Sequence, residues 1–384
     1  MSVRSAPEVG LPDVGLPEVG LPDVGAPAAA AGHPPLARSV ARLASARRPL
    51  LVALGGLVAL LVVLLLGLAL GSVAIPLPDT VAILAHRLLG WPVVQTWPST
   101  YETILFDLRL PRMLLAMCVG LGLSVAGATF QGVLRNPLAD PYVLGTASGA
   151  ALGAAIGLLV PVPVLLVGLG LAQLAAFVGA LLAVGLVWRL ARAAALDSLS
   201  SVLLTGYAVG ALLAAGLAVA MVVSGTQLRQ IVAYLLGSFA TASWSQLVVA
   251  APLILIGSAL LTFRSRSLDA FLLGEETAAH LGLDVGRERL LLLGLASLIT
   301  AAAVASAGLI GFVGLVVPHV VRLLVGPGAR AVVPLSGLVG ATFLAACDLL
   351  ARMPGELPVG IVTAIVGAPF FLALLRSARA GYEL

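Results

Sequence analysis

Residues Met113–Leu134 read MLLAMCVGLGLSVAGATFQGVL, with no charged side chain anywhere in the stretch. About 20 apolar residues cross the hydrocarbon core of a bilayer as a helix, so a run of this length reads as a membrane span and not as the buried helix of a soluble core. Moving outward, the only charges between Met113 and Trp188 are Arg135 and Asp140, both in the polar break that follows the run. Comparable stretches occupy Pro49–Ile75, Val143–Val160, Val164–Trp188, Val202–Val223, Leu247–Phe263, Leu290–Ala305, Leu309–Val325, Val332–Leu350 and Pro358–Leu375, which makes ten candidate spans. A hydrophobic fraction of 60%, a charged fraction of 10%, 43 glycines and a mean hydropathy of +1.13 exclude a water-soluble domain. The expected fold is an all-α membrane protein with about ten transmembrane helices in one bundle.

Orientation follows from arginine alone, because the chain contains no lysine. If the N-terminus is cytoplasmic, sixteen arginines fall on the inner side and five on the outer: Arg87, Arg109, Arg112, Arg229 and Arg352. That is a clear positive-inside bias, and an even span count places both termini in the cytoplasm. A pI near 9.6 then needs no nucleic-acid partner, since these arginines already serve topology and anionic lipid.

The sequence divides into a tail at 1–48, a ten-span core at 49–376 and a short tail at 377–384. The first is a different material. Pro7, Pro12, Pro17, Pro22 and Pro27 recur every five residues in Gly-Leu-Pro-Asp/Glu-Val pentads, which cannot bury a core and predict a disordered cytoplasmic segment ending in a basic stretch.

One polar island interrupts the core, at Arg264–Arg289. Within it, LDAFLLGEETAAHLGL (Leu268–Leu283) has a helical rhythm of Leu272, Leu273, Ala279 and Leu283, with Gly274 and Gly282 as caps or turns. A short amphipathic element at the cytoplasmic surface suits docking of a soluble partner.

Absences narrow the chemistry. Without lysine there is no phosphate-binding loop of the Gly-x-x-x-x-Gly-Lys kind, so any ATP chemistry belongs to another polypeptide. The spans carry no series of carboxylates such as proton or sodium coupling uses. Asp348 is the main acidic residue inside a span, and Arg352 lies one turn away, which predicts a local ion pair. Cys118 and Cys347 sit in separate spans as small hydrophobes. His33, His86, His280 and His319 form no ligand-spaced cluster, and His319, beside Pro318, is expected to be hydrogen-bonded structure. No metal site and no catalytic constellation is expected. Gly145, Gly149, Gly153 and Gly157 repeat every four residues and form a smooth strip for close helix packing. Gly308, Gly311 and Gly314 before Pro318 mark a second region of close approach or broken helix.

These residues assemble into a resemblance. Arg109-Leu-Pro-Arg112, then Gln131-Gly-Val-Leu-Arg-Asn136-Pro-Leu-Ala-Asp-Pro141-Tyr-Val-Leu-Gly145, is similar to the signature of iron-chelate and cobalamin ABC importer permeases, the FecCD type. Gly274-Glu-Glu-Thr-Ala-Ala-His-Leu-Gly282, Gly311-Phe-Val-Gly-Leu-Val-Val-Pro-His319 with Arg322, Glu356-Leu-Pro-Val-Gly360 and Gly367-Ala-Pro-Phe370 continue it in order.

The resemblance implies a permease in the cytoplasmic membrane that pairs with a second permease subunit, of the same or another kind. It also implies two ATP-binding subunits, which use ATP and magnesium, and a substrate-binding protein outside. This chain itself binds no cofactor in that scheme. By the resemblance, Leu273, Gly274, Glu275, Glu276, Ala279 and Leu281 dock the ATPase, and Arg109, Arg112 and Arg352 meet the binding protein. Asp197, Ser198, Leu199, Ser200 and Ser201 fall at the cytoplasmic gate. Gln227-Leu-Arg-Gln-Ile through Trp244 resembles the short external helix at the pathway mouth. Read without the resemblance, the three arginines anchor helix ends at headgroups. The cargo, a ferric siderophore, haem or cobalamin, is not encoded in any motif, and an ATP-independent secondary transporter is the alternative of a different class.

Overall fold

A computed structural model describes residues 35–92, 95–160, 162, 165–166, 169–193, 199–353 and 355–380. The chain divides into two units, Met1–Ala44 and Ser45–Leu384. Of the first, only residues from Pro35 are described, and the pentads lie outside the described residues.

Helix α1 (Pro35–Ala69) opens inside the segment expected to be a disordered tail. Pro35 suits a first helical position, and the alanines, leucines and arginines after it are strong helix formers. Then come α2 (Leu77–Leu89), α3 (Ser99–Thr103), a π-helical turn at Ile104–Arg109, α4 (Leu110–Leu134) and α5 (Thr146–Leu159). Two-residue strands β1 (Leu165–Leu166) and β2 (Leu169–Gly170) pair antiparallel, Leu165 with Gly170 and Leu166 with Leu169. The rest is α6 (Leu171–Ala193), α7 (Leu199–Val223), α8 (Leu228–Leu235), α9 (Trp244–Phe263), α10 (Ser265–Leu272), α11 (Glu275–His280), α12 (Val285–Ala307), α13 (Val313–Val325), α14 (Ala329–Arg352) and α15 (Val359–Ala380).

Among the described residues seven helical stretches are long and apolar enough to cross a membrane, and three shorter apolar helices lie at Thr146–Leu159, Val313–Val325 and Val359–Ala373. Two expected boundaries move. The span expected from Val164 starts as a helix only at Leu171, because the glycines and prolines before it favour the tight strand pair. The span expected from Met113 belongs to one continuous helical stretch from Ser99 to Leu134. Arg109 and Arg112 therefore sit within a helix and not at its exposed start.

The core is built around α4, nearly all of which is buried. It is approached closely wherever glycine permits. A Cβ at Gly120 would meet the Gly340 carbonyl of α14, and one at Gly127 would meet the Gly314 carbonyl of α13. The four-residue ladder on α5 has a named partner, since Cβ atoms at Gly149, Gly153 and Gly157 would strike the backbone of α6 at Gly179, Ala175 and Ala172. Gly145 is not part of that strip. It is the left-handed N-cap of α5, at φ 77°, and faces α7. Helix α12 ends at Gly308 (φ 74°), and Phe312, also left-handed at φ 69°, precedes α13. Buried backbone in such a break needs partners. The Tyr142 hydroxyl donates to the Ile310 carbonyl at 3.0 Å and accepts from the Ile310 N–H, while the Tyr234 hydroxyl donates to Val304 at 2.7 Å.

Candidate functional site at the two ends of the bundle

Helices α4 and α14 run antiparallel and connect two polar clusters. The 25 residues of α4 span about 37 Å at 1.5 Å per residue, more than the hydrocarbon core of a bilayer. At one end are Arg109, Arg112, Asp348 and Arg352. At the other, the α14 N-terminus meets the island, where Asp269 accepts the Ala329 N–H at 2.6 Å and pairs with Arg330 at 3.5 Å. The α4 C-terminus ends there too, with Arg135 beside Gly274. The two clusters are thus at opposite ends of the same helices.

The first cluster is buried. Arg109, Arg112 and Arg352 are 7%, 8% and 7% exposed, and Asp348 is fully buried. Arg112 grips Asp348 with a fork, Nε at 3.1 Å from Oδ2 and Nη2 at 3.0 Å from Oδ1. Its remaining nitrogen, Nη1, reaches Glu356 at 3.4 Å. Arg352 lies 3.4 Å from Asp348, the one-turn ion pair expected, but Nε is not aligned for a hydrogen bond there. Its other nitrogens donate to the Gly67 carbonyl at 3.2 Å and to the Met113 sulfur at 3.0 Å. Arg109 donates to the carbonyls of Leu68, Ala69 and Val73, which closes the unpaired C-terminus of α1. The three arginines converge, but they are spent on the end of α1, on Met113 and on Asp348. A cavity of about 250 Å³ beside them, lined by Gly71, Ser72, Phe239, Arg109, Arg352 and Glu356, opens at this end.

The second cluster is a surface. The island forms two short helices hinged at Gly274, whose φ of 108° and ψ of 152° suit only glycine; Gly282, at φ 86°, ends the second. Leu268, Phe271 and Ala278 are buried and fasten the pair to the bundle. Ion pairs tie its flanks: Arg264 to Glu288 at 2.9 Å, Arg289 to Glu275, and Arg287 to Asp284, which also caps α12. What remains outward is Leu272, Leu273, Glu276, Ala279, His280 and Leu281, with Leu273 68% and Leu281 64% exposed. Glu275 and Gly274 are half-buried at the hinge.

Of the gate residues, Asp197 and Ser198 lie outside the described residues. Leu199 and Ser200 open α7, and Ser201 follows, half-buried, with its carbonyl accepting from the Thr205 hydroxyl at 2.8 Å. Just beyond is a cavity of about 440 Å³ lined by Tyr142, Ser148, Leu203, Gly206, Tyr207 and Gly210. Sequence reasoning missed it. The signal was available in the Gly206/Gly210 pair and in two tyrosines of a chain with only five. His319 departs from expectation: neither ring nitrogen has a hydrogen-bond partner among the described residues, and the ring packs edge-on against Phe370 at 6.3 Å. Asp140, in the turn after α4, is held by burial at a pKa of about 6, opposed by the Tyr142 N–H donated to it at 2.8 Å.

A family model described as the FecCD transport family matches residues 59–377. The chain belongs to the FecCD transport family. Among its relatives is the cobalamin import system permease BtuC of Halobacterium salinarum, 41% identical over 80% of this chain and 87% of its own. The hemin transport system permease HmuU of Yersinia pestis is 41% identical over 72% and 84%. The Fe(3+) dicitrate transport system permease FecD of Escherichia coli is 38% identical over 75% and 91%. A solved metal-chelate type ABC transporter in an inward-facing conformation superposes with a TM-score of 0.72 at 31% identity, covering 84% of this chain and 98% of its own. This FecCD family member is a multi-pass membrane permease of the ABC importer type. Its island and buried arginine cluster both fall within the matched residues.

Proposed function

We propose that this chain forms half of the transmembrane pathway of an ABC importer that carries a bulky metal chelate into the cytoplasm. Ferric siderophore is the first cargo to test, with haem and cobalamin beside it. In this reading ten helices cross the membrane with both termini inside, and a second permease subunit completes the pathway. Two ATP-binding subunits dock on the island, and a substrate-binding protein docks at the arginine end.

The observation that carries the reading is the exposed apolar set Leu272, Leu273 and Leu281 on an otherwise charged surface element, at the opposite end of α4 and α14 from the arginine cluster. Exposed leucines outside the apolar spans are costly unless covered, and a soluble partner covers them. Secondary transport finds no support at Asp348, whose charge is already neutralised by two arginines. The experiment is co-expression with its ATP-binding subunit, reconstitution in proteoliposomes and uptake of labelled ferric siderophore, haem and cobalamin. ATP-dependent accumulation of one cargo is expected. Accumulation that follows an ion gradient and ignores ATP overturns the reading.

A further inference from the structure

Helix α2 joins α1 to the long second span, and only part of its apolar surface is used by the protein. Pro76 and Pro78 start it, and Gly90, at φ 63°, stops it: the Gly90 N–H donates to the His86 carbonyl and the Trp91 N–H to that of Ala85. Ile83 is buried with Leu68, Ile75, Trp97 and Leu105. A second apolar stripe runs beside it, exposed except at Leu84, which is half-buried against that cluster. Leu77, Val81, Leu84 and Leu88 recur at i, i+4, i+7 and i+11 and so lie along one line of the helix. Leu77, Val81 and Leu88 are 47%, 50% and 63% exposed, and exposed Leu89 at the helix end and Trp91 just past it extend the apolar surface. Asp79, His86 and Arg87 all fall off that line.

Two observations name the occupant. The stripe continues an exposed apolar face: α1, whose Leu54, Leu57, Val58 and Leu61 are exposed along a stretch long and apolar enough to cross a membrane, ends at Ala69, and exposed Val73 bridges the short gap to Leu77. The helix also lies at the level where spans end, since Leu68, the penultimate residue of α1, shares its buried cluster. Tryptophan and amphipathic helices favour that depth. Asp79 and Arg87 balance, so the surface has no preference for anionic headgroups. We infer that α2 lies in the plane of the membrane at the arginine end, with Leu77, Val81 and Leu88 sunk at the boundary of headgroups and acyl chains and Leu84 turned partly toward the protein. It thereby holds the start of the Ser99–Leu134 helix at a fixed depth through Trp97 and Leu105. The inference does not depend on the cargo or on the ATPase.

Nitroxide labels at Val81→Cys, Leu88→Cys and Arg87→Cys, in a chain carrying Cys118→Ala and Cys347→Ala, test it in phosphatidylethanolamine–phosphatidylglycerol proteoliposomes. Dissolved oxygen should reach positions 81 and 88 more readily than a water-soluble nickel chelate, and the order should reverse at 87. Nickel dominance at all three places the stripe in water, and low access to both reagents at 81 and 88 means that protein covers it; either overturns the inference. A second measurement keeps the native cysteines. Trp91→Phe should reduce the emission quenched by lipids brominated near the head of the acyl chain, and unchanged quenching counts against membrane contact.

Discussion

The two ends of this permease use the same residue types in opposite ways. At the arginine end, charges are buried and consumed by one another: Arg112 and Arg352 close on Asp348, and Arg109 closes the end of α1. At the island, the charges are mostly at the surface, and they splint two short helices so that leucines stay outside. Removing a charge should therefore break structure at the first end and only loosen it at the second. Asp348→Ala leaves two arginines uncompensated in an apolar interior, with an expected cost of about 3–5 kcal/mol, read as loss of folded protein or a large fall in melting temperature in detergent. Asp269→Ala removes an exposed-edge pair and one N-cap contact of α14, with an expected cost of about 1 kcal/mol. Equal effects would erase the distinction between the two ends.

The island has its own sensitive point, and it is a backbone one. Gly274 has open space around it, with only an Arg135 nitrogen within 4 Å of where its Cβ would lie. Its φ of 108° nonetheless excludes any other residue without strain of roughly 1–3 kcal/mol. Gly274→Val should leave the helical body inserted while turning α11 away, so that the ATPase no longer co-purifies and uptake is lost. Gly294→Ala, at an uncrowded α12 position, is the control and should change nothing or stabilise slightly. Retained ATPase binding in Gly274→Val would remove the hinge from the docking argument.

How far the sequence revealed these two ends depends on what kind of signal each leaves. The island was legible because charge contrast and two glycines are local features; Gly274 and Gly282 are indeed the left-handed turns. The Asp348–Arg352 pair was legible because both lie on one helix. Arg112 reaching Asp348 was not, since the partners are 236 residues apart and meet only through α4 packing on α14. The same distance hid the real state of the arginines: a helix taken to begin at Met113 puts them at a surface, whereas the π-helical turn at Ile104–Arg109 continues the helix and draws them inside. The partner of the glycine ladder is likewise a tertiary fact, and the cavity beside Tyr207 needs two distant segments to exist.

Between the two ends in expected size stands a pH effect in the turn after α4. Burial raises the Asp140 carboxyl from its usual 3.8 to about 6, so the folded state holds the proton more tightly than the unfolded chain. Below pH 3.8 both states are protonated and nothing is lost; stability falls as pH rises toward 6, and the full penalty persists above it. Asp140→Asn keeps an acceptor for the Tyr142 N–H without the charge. It should stabilise by roughly 1–2 kcal/mol at pH 7 and by little at pH 4. Melting curves at the two pH values check it, and a gain independent of pH would assign the effect to something other than this carboxyl.

The smallest effect sharpens the comparison most, because it lies at the mouth of the arginine end. Glu356 is a carboxylate there that behaves like the island's: its side chain is 50% exposed and 3.4 Å from Arg112. Glu356→Gln should cost under about 1 kcal/mol, and the cost should vanish in high salt. Glu356 also has a left-handed backbone at φ 62°, which a non-glycine residue adopts at roughly 1–2 kcal/mol. Glu356→Gly removes the same ion pair and relieves that strain, so it should be at least as stable as Glu356→Gln at every salt concentration. If both variants fall as far as Asp348→Ala, the buried network extends to the rim, and the contrast between a sealed arginine core and a yielding edge fails. If Glu356→Gly alone is stable, Arg112 Nη1 is left open to the cavity without cost to the fold, and an incoming carboxylate from a binding protein can reach it there.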